Sequence, residues 1–328
     1  MIRLTKVELR RLIARRLTVI GLAGLFLITL LLLVATWFDA RPLSEVEQRR
    51  AQEQFERAHQ EWAERGDEIR AQCEADWKAQ PDPKPSVEEM CTYPEPRLEE
   101  FGKPQAVFTQ IAPELLHATT YFLAFAAFLI GASFLAAEFS SGAIGNWLTF
   151  EPRRLRVYGS KLLAAALGFV PVAAIALAIV LFGTYLIIDR LGDTTSATGK
   201  VWGDLLALAG RAALTTAAAA VLGSVTGLLL RHTAAAIGVV MGYVVLIEGV
   251  FGSFLEKAQP WLVRLNVDAF VLHGTQYNVT ECRTESDGTI CDFVQKSLSF
   301  EHGAWYLAAL FVVLVLLGGA VFHRRDVN

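Results

Sequence analysis

Charge is what this 328-residue chain has least of. Only 19% of its residues are Asp, Glu, Lys or Arg, against 53% hydrophobic. That is too apolar for an ordinary soluble domain and fits a protein that crosses a membrane several times. Histidine is also scarce, with 6 residues. His117 falls at the edge of an apolar run, His232 in a turn and His323 at the inner end of the last run. None is matched in depth with a plausible nucleophile, which argues against a membrane-embedded enzyme. A phosphate loop of the form G-x-x-x-x-G-K-[ST] is missing: Gly159-Ser160-Lys161 lacks the upstream glycine and opens an apolar run, so it should not bind ATP. Cysteine is limited to Cys73, Cys91, Cys282 and Cys291. All four lie in polar segments, which favours disulfides in an oxidising compartment. Four cysteines allow three pairings. Cys73–Cys91 and Cys282–Cys291, one staple per segment, are the expected pairs, with free or cross-paired thiols as the alternative. Long spacings without nearby histidines leave no metal site to expect.

What the chain does have is six long apolar runs: Leu17–Phe38, Leu115–Ala137, Leu162–Ile188, Leu205–Leu230, Thr233–Phe254 and Gly303–Phe322. Each suffices to cross the roughly 30 Å hydrocarbon core of a bilayer. The first is read as a span and not a cleavable signal, because no small-x-small site follows it. Pro171 should kink the third. The fourth is rich in Ala and Gly, so it should pack closely. Its Thr215, Thr216, Ser224 and Thr226 are expected to bond their own helix backbone.

The charges present are partitioned. The N-terminal segment, the stretch 138–161, Arg231-His232 and the C-terminal tail together hold 13 Lys/Arg against 4 Asp/Glu, whereas Asp39–Glu114 holds 18 Asp/Glu against 10 Lys/Arg. The basic clusters all fall on one side of a six-span layout, so the positive-inside rule puts both termini in the cytoplasm, in a bacterial-type plasma (inner) membrane. Met1–Arg16 reads as a basic amphipathic helix on anionic lipid, or as a flank of the first span.

The expected architecture is an all-α membrane protein. Residues 1–38 form the interfacial helix and first span. Residues 39–114 form an extracellular helical insertion. Residues 115–254 form spans two to five, with a cytoplasmic segment at 138–158. Residues 255–302 form an external or re-entrant segment, and 303–328 the sixth span and tail. Within the insertion, Ser44 and Glu47 make a capping box. Ala51, Phe55, Ala58, Trp62, Ile69, Cys73 and Trp77 then mark one face of a long helix, ended by the prolines of Pro81–Ser86. Pro260–Leu272 is apolar but too short to span and suits a half-penetrating helix; a stapled loop should follow. Asn278-Val279-Thr280 matches a glycosylation acceptor. Arg211 and Glu248 fall inside runs at equal depth, roughly 10 Å below the outer ends. An ion pair between them, as a gate or as a packing lock, is expected because unpaired charge there is costly.

Glu138 to Lys161 is the short polar connection between spans two and three. Glu138-Phe139 precedes the small-residue turn Ser140-Ser141-Gly142-Ala143-Ile144, followed by Leu148, Pro152, Arg153-Arg154 and Gly159-Ser160-Lys161-Leu162-Leu163. This stretch and the six-span layout resemble an ABC-2 type transporter permease, the membrane subunit of a type V-like ABC exporter. The large 41–114 insertion departs from the minimal family pattern. The resemblance implies that ATP and Mg are bound and hydrolysed on a separate ABC ATPase chain, with no cofactor on this one. A second permease copy and membrane lipids would be the other partners, with no nucleic acid. It also implies a coupling helix over Phe139–Leu155 that docks in the ATPase. Glu138 and Phe139 would open it, Trp147, Leu148 and Phe150 would be apolar anchors, and Arg153, Arg154 and Arg156 electrostatic ones; lipid headgroup contact is the other reading of these arginines. The substrate would be hydrophobic or amphipathic. An alternative is a membrane sensor whose extracellular cap binds a ligand.

Overall fold

The computed structural model describes residues 2–79, 86–252, 256–285 and 288–324. Pro81–Pro85, the expected helix stop, and Arg325 of the tail lie outside them. Six helices are long and apolar enough to cross a membrane, the mark of a multi-pass membrane protein. They are α2 (Arg16–Ala40), α6 (Phe108–Ser140), α8 (Arg154–Leu191), α9 (Gly199–Leu230), the composite span Thr233–Phe251, and α12 (Phe300–Arg324). Five of them contain an expected apolar run whole, and four of these extend beyond it at polar ends by three residues or more. The fifth span follows its expected run from Thr233 to Phe251, and the end of that run, residues 253–254, lies outside the described residues. Helix α8 passes through Pro171 without a break in its helical span. The composite span is an α-helix, α10 (Thr233–Gly242), that continues as a π-helix over Tyr243–Phe251.

Helices α6 and α9 make the centre. Gly223 and Gly227 lie one turn apart on α9 and meet the backbone of α6. A Cβ on Gly223 would stand 2.1 Å from the Phe128 carbonyl oxygen, and one on Gly227 would stand 2.2 Å from that of Ala132. Small residues at this spacing let two helix backbones touch, the packing that apolar surroundings favour. The hydroxyls of Thr215, Thr216, Ser224 and Thr226 donate to carbonyls four residues back, as their positions on a buried helix require. One apolar core, around Leu12, Phe134, Ile144, Phe169, Leu228 and Phe322, fills the end of the bundle that carries the basic segments. A second, around Phe108, Leu116, Leu123, Leu181, Leu205 and Val271, fills the other end.

The end remote from the basic segments carries both disulfides. Helix α3 (Glu45–Ala79) starts at the Ser44–Glu47 capping box, whose reciprocal bonds form. At 35 residues it is about 52 Å long. The chain returns along it through short helices α4 (Val87–Met90) and α5 (Leu98–Phe101). Trp62 Nε1 donates to the Tyr93 carbonyl at 3.1 Å, Phe55 meets Phe101 edge-on, and Cys73 is bonded to Cys91. The insertion is thus a hairpin with one helical and one irregular arm.

Two expectations about the architecture are corrected. The fold is not all-α: Thr275–Glu285 (β1) and Gly288–Leu298 (β2) form an antiparallel ribbon where a stapled loop was expected. Cys282 and Cys291 are directly opposed in its register and joined by a disulfide. The alternation of β-branched and aromatic residues in TQYNVTECRTE suits a pleated pair. The coupling helix expected over Phe139–Leu155, within the segment 138–158, is also not one helix. Glu138 and Phe139 belong to the last turn of α6. A turn at Gly142, with φ +69°, then opens the separate helix α7 (Ala143–Phe150), and α8 begins at Arg154. Glycine suits that turn because only it adopts positive φ without steric cost.

Candidate functional site

Two polar constellations interrupt the apolar bundle. The first lies at the basic end. Helix α1 (Ile2–Ile13) turns Thr5, Glu8 and Leu12 inward and leaves Arg3, Lys6 and Arg10 exposed. Glu8 is the only acidic residue of this segment, and it points at Lys161 of α8. The Lys161 ammonium, 1% exposed, lies 2.9 Å from Glu8 Oε1 and 2.5 Å from Glu138 Oε2. Arg11 adds a contact to Glu138 at 3.4 Å, and Arg15 donates to the Ser133 carbonyl at 2.9 Å. Charges this deep are tolerated because each faces its opposite. Burial pushes the Glu8 carboxyl above the usual carboxylate range, with Lys161 pulling the other way.

Trp147 of α7 is drawn into this hub. Its ring lies 5.3 Å from the Arg11 guanidinium and 5.5 Å from the Lys161 ammonium, both within cation–π range. Ile144 of the same helix is buried in the core. Helix α7 is therefore tied to α1 and α8 by charge as well as by apolar packing.

The expected site residues divide accordingly. Glu138 is buried in the hub, because Lys161 needs a counter-charge, and it offers no outer surface. Phe139 is half-buried, packed against Phe322 and beneath Arg231. Arg154 donates to the His323 carbonyl at 3.3 Å, where a cation complements the end of α12. Arg153 and Arg156 are exposed, as is Leu155 between them. The side chains of Leu148 and Phe150 lie outside the described residues.

The second constellation surrounds a short helix, α11 (Val263–Leu272), inside the expected half-penetrating stretch. The expected Arg211–Glu248 ion pair does not form, because α11 stands between the two residues. Arg211 Nε donates to the Val271 carbonyl at 2.9 Å, at the C-terminal end of α11. Glu248 Oε1 accepts from the Arg264 N–H at 3.2 Å, at the N-terminal end, and from the Tyr243 hydroxyl at 2.7 Å. A carboxylate at the N-terminus and a guanidinium at the C-terminus both suit the helix dipole. Along its flank, Asp268 Oδ1 meets His117 Nε2 at 2.7 Å and accepts the Tyr121 hydroxyl, both from α6. Tyr306 of α12 donates to the Trp261 carbonyl just before α11.

Reasoning from sequence missed Glu8 and Asp268, and so did not see that Lys161 and His117, which it had singled out, pair with them. A signal existed for each: Glu8 is the lone acid in a basic amphipathic helix, and Asp268 the lone acid of Pro260–Leu272. Among the described residues no group of three His, Cys, Asp or Glu side chains is placed to hold a metal ion.

No curated protein matches the chain. Residues 98–328, from the return arm of the hairpin to the C-terminus, match the family described as a protein of unknown function, DUF2705. Both constellations have most of their members in that span, with Glu8, Arg11 and Arg15 contributed from outside it. The match covers well over half of the sequence, and the chain belongs to the DUF2705 family.

Proposed function

We propose that this chain is the membrane subunit of an ATP-driven transporter, an exporter of hydrophobic or amphipathic substrate, powered by a separate ATPase that docks at the basic end. The observation that carries this reading is helix α7. It is a short helix set between two spans, and its Trp147 sits between Arg11 of α1 and Lys161 of α8. A push on α7 would reach α1 and α8 through the Trp147 contacts and α6 through Glu138. The exposed Arg153, Leu155 and Arg156 give a soluble partner a basic, partly apolar foothold. The basic end is then cytoplasmic, in keeping with the positive-inside rule.

The test is co-purification of a phosphate-loop ATPase with tagged, membrane-inserted protein. Wild type should retain the ATPase, and the variant Arg153→Glu/Arg156→Glu should lose it while keeping its thermal transition. A folded wild type that carries no ATPase would sink the transporter reading and move attention to the disulfide-bonded hairpin as a ligand-binding cap.

A further inference from the structure

We infer that the outer face of α1 binds the anionic phospholipid headgroups of the leaflet at the basic end, and that this contact holds α1 on the bundle from outside. The inference does not rest on the exporter reading, because α1 meets lipid whatever drives the spans.

Helix α1 is an element of its own. It ends at Ile13, and the first span starts at Arg16. Its rotation about its axis is fixed from within. Leu12 and Leu9 lie over Gly168 of α8, where a Cβ would stand 2.8 Å from Leu12 Cδ2 and 3.2 Å from Leu9 Cδ1. Glu8 is held by Lys161. Arg11 turns to Glu138 and Trp147, and Arg15 to the Ser133 carbonyl.

The three remaining cations of α1, Arg3, Lys6 and Arg10, follow one another at steps of three and four and so share the opposite side. All three are exposed, and among the described residues none meets a carboxylate. Arg16 is exposed at the head of α2. Because Glu8, the one acid of the segment, is drawn inward, the outer face carries charge of a single sign.

That face is not purely polar. Ile2, Val7 and Ile13 are exposed beside the cations, and Leu17, Val19 and Ile20 are exposed on the first turns of the span that follows. Cations flanked by bare aliphatic side chains suit a bilayer interface, where the aliphatics enter the acyl boundary and the cations stand among headgroups. Each Lys or Arg at such a surface strengthens attraction to anionic lipid by about fivefold. Zwitterionic headgroups have no net charge and give no such gain.

The experiment is hydrogen exchange of the α1 amides in the full-length protein, in nanodiscs of phosphatidylcholine alone and of phosphatidylcholine mixed with phosphatidylglycerol. Only protein and lipid are present, so a soluble partner cannot produce the result. At low salt, wild type should be about a hundredfold or more better protected with the anionic lipid. Arg3→Gln/Lys6→Gln/Arg10→Gln should keep at most about fivefold of that gain, from Arg16. High salt should shrink the wild-type gain, since exposed charges are screened. Lys6→Gln alone should lose about fivefold and carries the test if the triple variant loses its thermal transition. Equal wild-type protection in the two lipids overturns the inference. So does a full gain retained in the variants, or one that high salt leaves unchanged.

Discussion

Glu248 and Arg211 hold opposite ends of one ten-residue helix. Glu248 takes the Arg264 N–H near its start and Arg211 takes the Val271 carbonyl near its end. Two charges read from sequence as a pair are instead two independent clamps on a third element. The distinction is measurable at fixed pH through protection of α11. Glu248→Gln and Arg211→Gln should each weaken it by about 0.3–2 kcal/mol, the range for charges at helix ends. The double variant should lose the sum. Independent sites add, whereas a direct ion pair makes the second loss smaller than the first; a double variant no worse than either single would refute the clamp.

The buried hub predicts an asymmetric response to substitution. Lys161→Met leaves Glu8 and Glu138 without their shared cation and should cost about 3–5 kcal/mol, the usual penalty for breaking a buried pair from one side. The pH dependence of α1 follows from Glu8. Its carboxyl is raised by burial, so docked α1 holds a proton that the undocked helix gives up. That stabilisation is full below the ordinary carboxylate pKa and is lost as pH rises through the raised one. Proteolytic release of α1 should therefore be slower at about pH 4 than at about pH 7, given the ordinary Glu value, and Glu8→Gln should remove the slope. A slope of the opposite sign would contradict the burial argument.

At the centre of the bundle, Gly223→Val should separate α6 from α9, since even a Cβ would lie 2.1 Å from the Phe128 carbonyl oxygen. Overpacking of this kind costs about 1–3 kcal/mol. A lowered thermal transition in detergent, with Gly210→Val unaffected because nothing lies within 4 Å of a Cβ there, would establish that the effect is contact and not helix propensity.

The spans were legible because a long apolar run carries its own signal. Their polar ends were not: Phe108–Glu114 and Arg154–Lys161 are helical beyond the apolar runs, and periodicity there is masked by Pro113 and the arginines. The basic amphipathic start was also legible, as were both cysteine pairs, each joined within its own segment. The partners of Lys161 were not, because Glu8 and Glu138 lie 153 and 23 residues away, and only three helices meeting reveal them. Arg211 and Glu248 were read as partners of each other, and each instead bonds α11. What sequence could not show is that α11 folds back into the bundle and stands between them.

The winding of the fifth span has a consequence for that helix. Tyr243 and Glu248 are five positions apart and hydrogen-bonded. On an α-helix, positions five apart point about 140° away from each other. In the π-winding of Tyr243–Phe251 they share a side, and it is this shared side that α11 rests on. Rewinding those nine residues into an α-helix would turn the carboxylate and the phenol to different quarters of the cylinder, and the start of α11 would lose its seat on one or both of them. The local pitch of one span and the anchorage of its neighbour are thus a single variable, and neither changes without the other.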